Sequence, residues 1–122
     1  MYWKKFVFPL FLLVLAGCYY DKESVLYPNS ENCTEVVSPS FNVDVLPLLN
    51  SRCNNCHGGT APSGGISLTT HTQVMKYVND GSLMGSINQT SGYSAMPKNS
   101  NKMSACEINK IQAWISAGAL NN

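Results

Sequence analysis

Apolar residues recur at helical spacing in three stretches of this chain, and no strand-like alternation reaches a convincing length. Val45, Leu48 and Leu49 share one face of a helix expected over residues 43–52, with Asp44 as its candidate N-cap. Pro47 then falls in the first turn, where a missing N–H is tolerated. A second helix is expected over residues 70–79: Thr70 and Gln73 form a capping box, Val74, Tyr77 and Val78 the buried face, and Gly81 the stop. The third and clearest spans 104–117. Ser104 and Glu107 form its capping box, Ile108, Ile111 and Ile115 its stripe, Trp114 widens the stripe, and Gly118 ends it. Leu83, Met84 and Ile87 suggest one further short helical segment. Residues 58–67 and 86–102 carry few apolar side chains and are expected to be loop. The expected class is therefore mostly α, with three main helices and long loops.

The N-terminal pattern is of another kind. Lys4 and Lys5 precede an apolar run over residues 6–16, broken only by Pro9. The run is too short to cross a bilayer, which takes about 20 residues in a helix. It suits the core of an export signal. It ends in Leu15-Ala16-Gly17-Cys18, which resembles the lipobox of bacterial lipoproteins. On this reading residues 1–17 are a signal peptide, and Cys18 is lipidated and becomes the new N-terminus. Residues 18–40 are a lipid-anchored tether and residues 41–122 one domain. The product faces the periplasm or the cell surface, anchored to a bacterial membrane through its lipid.

Composition narrows the function. The whole chain has 122 residues and a net charge of +1, with 12% charged residues. No basic stripe is present to bind nucleic acid by counterion release, and no nucleic-acid partner is expected. The five cysteines are unusual for this length and point to crosslinks or a cofactor.

Cys53-Asn54-Asn55-Cys56-His57 is a C-x-x-C-H motif, the pattern of covalent haem attachment. Two thiols three residues apart lie on one side of a helical turn and can meet the two vinyl groups of one porphyrin. The His that follows can then place its imidazole under the ring and bind iron. A redox C-x-x-C would want a βαβ setting, and zinc would want a second pair of ligands at suitable spacing. Neither context is evident. A haem disc would also explain how so loop-rich a domain fills its centre.

A His-ligated iron in an electron carrier commonly takes Met as its second axial ligand. Met96 lies in a loop with Pro97 behind it and belongs to no apolar stripe, so plain packing explains it poorly. Met75, Met84 and Met103 sit in or beside helical segments. His71, beside the Thr70 cap, reads as a solvated helix-end residue more than as a ligand.

The order C-x-x-C-H, Met96-Pro97, then a terminal helix with an aromatic resembles a class I cytochrome c over residues 41–122. Pro47-Leu48-Leu49, Gly64-Gly65-Ile66-Ser67-Leu68 and Trp114-Ile115-Ser116-Ala117-Gly118-Ala119 resemble the small lipoprotein cytochromes of Bacteroidetes. The resemblance implies a small cytochrome c fold wrapped around one covalently attached haem c. It implies Cys53 and Cys56 as attachment points, His57 and Met96 as axial ligands, and Trp114 as an aromatic wall beside the haem.

Cys33 and Cys106 remain after lipid and haem are assigned. They fit each other as a disulfide, since unpaired thiols are uncommon in exported proteins. The expected function is electron transfer by a monomeric, non-enzymatic, membrane-tethered monohaem protein, with redox proteins as partners. The alternative is a haem-dependent enzyme of peroxidase type, or a gas or redox sensor with an open distal site. Lys76, Lys98, Lys102, Lys110 and Arg52 are too sparse for strong electrostatic steering.

Overall fold

A computed structural model of the chain describes residues 37–122. The expected signal segment, lipidated Cys18, Cys33 and most of the expected tether lie outside the described residues. Among the described residues every regular element is helical and there is no strand.

The chain enters through a π-helical turn, Phe41–Val45, that runs directly into α1, Leu46–Arg52. Asp44 is not the N-cap that its position suggests. Ser40 is: its Oγ accepts from the Val43 N–H at 3.2 Å, and the Asp44 carboxylate reaches back to accept from the Ser40 N–H at 2.8 Å. The wide turn has a physical cause in Pro47. A proline inside a helix lacks a donor and crowds the carbonyl four residues back. Here the preceding N–H groups reach five residues back instead, Val45 to the Ser40 carbonyl and Leu46 to that of Phe41, and the helix opens where Pro47 follows.

Cys53 ends α1 and begins α2, Asn54–His57. A 3₁₀ turn, Ser63–Gly65, interrupts the following loop. Next come α3, His71–Asn79, and α4, Ser82–Ile87, joined by Gly81 in the left-handed conformation and by Asp80, which accepts from the Ser82 N–H at 2.9 Å. The fold closes with α5, Ala105–Ser116. Both predicted capping boxes form, Thr70 with Gln73 and Ser104 with Glu107. Helix α4 takes Ser86 and Ile87 out of the expected loop, because Leu83, Gly85 and Ile87 are buried along it.

One core joins these pieces, and side chains fill the centre that the sequence left to a haem disc, because the short helices bring their apolar stripes together. Phe41, Val45, Leu49, Val74, Ile111 and Trp114 are its most deeply buried side chains and come from the π turn, α1, α3 and α5. Leu68, Leu83, Ile87, Met103, Ile108 and Ala119 extend it. Burying a large aliphatic or aromatic side chain is worth about 1.5–3 kcal/mol, so these contacts outweigh any surface pairing in holding the short helices together.

The C-terminal residues fold back over the entry turn. Asn42 donates to the Asn122 carbonyl at 2.8 Å and Phe41 N–H to Asn122 Oδ1 at 3.0 Å. Trp114 Nε1 donates to the Leu120 carbonyl at 2.9 Å. His71 belongs to this corner. It is not a solvated helix-end residue: its ring is half-buried, edge-on to Phe41 at 5.0 Å and to Trp114 at 5.9 Å, and its Nε2 lies 2.7 Å from the Ala119 carbonyl. The reason is tertiary, since α3 starts where the tail returns.

Candidate cofactor site

Cys53, Asn54, Asn55, Cys56 and His57 form one helical turn. The Cys56 and His57 N–H groups both reach the Cys53 carbonyl, at 3.0 and 2.9 Å. Both thiols are free; Cys53 is half-buried against the core and Cys56 is exposed. The turn is therefore anchored by one cysteine and open at the other. Asn54 ties it down from the side, its Nδ2 donating to Asn50 Oδ1 at 2.6 Å and to the Leu68 carbonyl at 3.3 Å. Its Oδ1 is buried with no partner.

His57 is gripped twice by the segment that follows the 3₁₀ turn. Its carbonyl accepts from the Leu68 N–H at 3.0 Å, and its Nδ1 lies 3.1 Å from the Ile66 carbonyl. A carbonyl can only accept, so Nδ1 carries the proton. In the neutral ring the lone pair is then on Nε2. Metal-binding histidines are usually held this way, with the second ring nitrogen donating to a carbonyl that fixes both tautomer and orientation. Gly64 and Gly65 make the grip possible. Both have positive φ, +65° and +68°, in the 3₁₀ turn that brings the chain round to Ile66, a conformation that disfavours side chains.

The electrostatics argue against a dithiol redox centre. Burial pushes the Cys53 thiol up to about 11, with Glu107 adding to the rise and the Arg52 guanidinium opposing it. Reactive redox cysteines show the reverse, a thiol lowered by positive surroundings. Zinc finds no support either: among the described residues no three His, Cys, Asp or Glu side chains converge. Beside the motif, Arg52 Nε meets Glu107 Oε1 at 2.6 Å, joining the end of α1 to the start of α5. Burial pushes the Glu107 carboxyl up, but the hydrogen bonds from Arg52 and Ser104 and the Arg52 charge outweigh it and hold the group below its ordinary range.

Met96 lies in the loop after α4, half-buried and preceding a cis peptide bond to Pro97. Its N–H donates to the Ser86 carbonyl at 3.0 Å. Met75 and Met84 pack against the core and Met103 lies in it, whereas Met96 belongs to neither set. His71 has its Nε2 engaged by Ala119 and sits among core aromatics, so it is poorly placed to serve as a ligand. Trp114 is core, in contact with Phe41 at 5.5 Å between ring centres. Cys106 is disulfide-bonded. Neither motif cysteine is its partner, since both are free; the proposed partner Cys33 lies outside the described residues.

Sequence reasoning missed the Ile66 carbonyl as the group that orients His57, because a backbone acceptor leaves no side-chain signal. The adjacent glycines just before it were the available clue. The packing of the Tyr93 ring on Gly85 was missed as well. Compared with protein-family models, curated proteins and solved structures, the chain matches none.

Proposed function

We propose that this protein is a monohaem c-type electron carrier, tethered to a membrane through a lipidated Cys18. The observation that carries the reading is the state of His57. Directly after two free thiols on one helical turn, its ring is pinned through Nδ1 by the Ile66 carbonyl, and Nε2 is left with its lone pair for a metal. The donor set suits haem c: two thiols, one oriented imidazole and a thioether outside the core.

Cys53 and Cys56 would hold the haem through two thioether links. His57 Nε2 and the Met96 thioether would bind its iron, and the soft sulfur donor would raise the reduction potential. When bound, the haem supplies the ferric–ferrous couple. The chain's part would be to hold the group through Cys53, Cys56, His57 and Met96, with the His57 ring fixed in orientation by the Ile66 carbonyl. Arg52 and four lysines are the only cations of residues 41–122, so docking would depend weakly on salt.

The deciding measurement is a reduced-minus-oxidised spectrum of the exported protein, repeated with carbon monoxide and after denaturation in pyridine. Haem that stays with the denatured chain and barely binds carbon monoxide in the folded state supports the carrier. Covalent haem that binds carbon monoxide readily indicates an enzyme or sensor with an open distal site. A chain without haem after export through a competent maturation system overturns the proposal.

A further inference from the structure

The loop that bears Met96 is not loosely draped. It is closed by a single aromatic side chain seated on a glycine. Helix α4 presents Gly85, buried and without a side chain, and the Tyr93 ring lies directly over it. A Cβ placed on Gly85 would stand 2.5 Å from Tyr93 Cγ and 2.6 Å from Cε2, well inside any real contact. At the neighbouring Gly81, a Cβ would come 3.6 Å from the Tyr93 hydroxyl. Backbone hydrogen bonds flank this contact on both sides. Thr90 N–H donates to the Gly85 carbonyl at 2.9 Å, Tyr93 N–H to that of Thr90 at 3.2 Å, and Met96 N–H to that of Ser86 at 3.0 Å. The loop thus forms a short lariat on one face of α4, with Met96 three residues beyond the tyrosine.

Tyr93 is 43% exposed, so burial alone does not explain an aromatic residue at this point. From this geometry we infer that Tyr93 is a positioning residue for Met96: its ring, docked on Gly85, holds the loop in the closed form that presents the methionine. The inference rests on Met96 as the distal ligand. The contact needs the absence of a side chain at Gly85 and the presence of a flat ring at Tyr93. The hydroxyl is secondary, since a ring alone covers the glycine. Undocking the ring shifts the loop toward open forms, in which the methionine spends less time in position.

The test uses the haem-loaded, full-length protein. Tyr93→Ala removes the ring, Gly85→Ala expels it, and Tyr93→Phe keeps it. Because Tyr93 is 43% exposed and lies outside the buried core, deleting its ring or expelling it to water leaves the core filled. The readouts are the methionine-to-ferric-iron charge-transfer band and the rate of carbon monoxide binding to the ferrous protein. Wild type and Tyr93→Phe should keep the band. Tyr93→Ala and Gly85→Ala should each weaken it and speed carbon monoxide binding by about tenfold, the size of a modest population shift. Helical circular dichroism reports whether each variant is folded, and a variant that unfolds is replaced by Tyr93→Leu, which fills space without a flat ring. If wild type shows the band and the folded ring-less variant keeps it unchanged, the positioning role is overturned. If wild type itself lacks the band while carrying haem, the Met96 assignment fails first, and the two failures are separate.

Discussion

The two histidines of the described chain make an instructive pair. Each is half-buried, and each places one ring nitrogen on a backbone carbonyl: His57 Nδ1 at 3.1 Å from Ile66, His71 Nε2 at 2.7 Å from Ala119. The consequences are opposite because the nitrogens differ. His57 spends the nitrogen nearer its own backbone and keeps the outer one for a ligand. His71 spends the outer one and fills its flanks with Phe41 and Trp114. The first leaves its outer nitrogen available, and the second is a polar residue packed against core aromatics. Residue type and partial burial do not distinguish them; the choice of nitrogen and the character of the neighbours do.

The largest expected effect comes from breaking the structural corner. Trp114→Ala empties the space beside Phe41 and His71 and leaves the Leu120 carbonyl without its indole donor. It should cost about 3–5 kcal/mol, read as a lower midpoint in urea unfolding. A loss below about 1 kcal/mol would show that this corner is not the centre of the fold.

The pair itself is next. His71→Ala should lower stability by about 1–2 kcal/mol, through a lost hydrogen bond and lost ring contacts, while leaving the haem spectrum unchanged. His57→Ala should do the reverse: on the proposed function it removes the proximal ligand and changes the spectrum, with the covalent links retained. If His71→Ala alters the spectrum and His57→Ala does not, the roles assigned to the two rings are exchanged.

The smallest effect concerns the ion pair that backs the His57 turn. Glu107 has its carboxyl lowered in the folded protein, so its contribution is present above the ordinary carboxylate range and lost as pH falls through the lowered value. Arg52 is half exposed at its side chain, 49% against 19% for Glu107, so solvent screens the pair and its worth is at most about 1 kcal/mol. Glu107→Gln should therefore lower the urea midpoint slightly at pH 7, and the difference from wild type should vanish in acid. A difference that persists or grows in acid would contradict the assigned sign.

Short-range chemistry made much of this architecture legible. In each capping box a side chain binds a backbone group three residues away, so Thr70 with Gln73 and Ser104 with Glu107 announced two helix starts. The apolar stripes led to Val45, Leu49, Val74, Ile108, Ile111 and Trp114 in the core for the same reason. The C-x-x-C-H turn is also local, because three-residue spacing in a helix brings its members to one side. Asp44 is the instructive failure. A carboxylate beside an apolar run looks like a cap, yet Ser40 four residues earlier takes that role and Asp44 braces it, since the π turn forced by Pro47 begins the helix sooner.

What only the tertiary structure decided are close approaches between distant segments. The sequence could name His57 but not say which nitrogen it would keep; that depends on a carbonyl nine residues on, carried there by two glycines. It could mark Met96 as unexplained by packing, but not show that Tyr93 closes its loop over Gly85. It placed His71 at a helix start, and the returning tail half-buried that position against the core aromatics. The reason is common to all three. Periodicity and capping are properties of neighbours along the chain, whereas a ring on a glycine or an imidazole on a carbonyl exists only once burial of the core has brought the segments together.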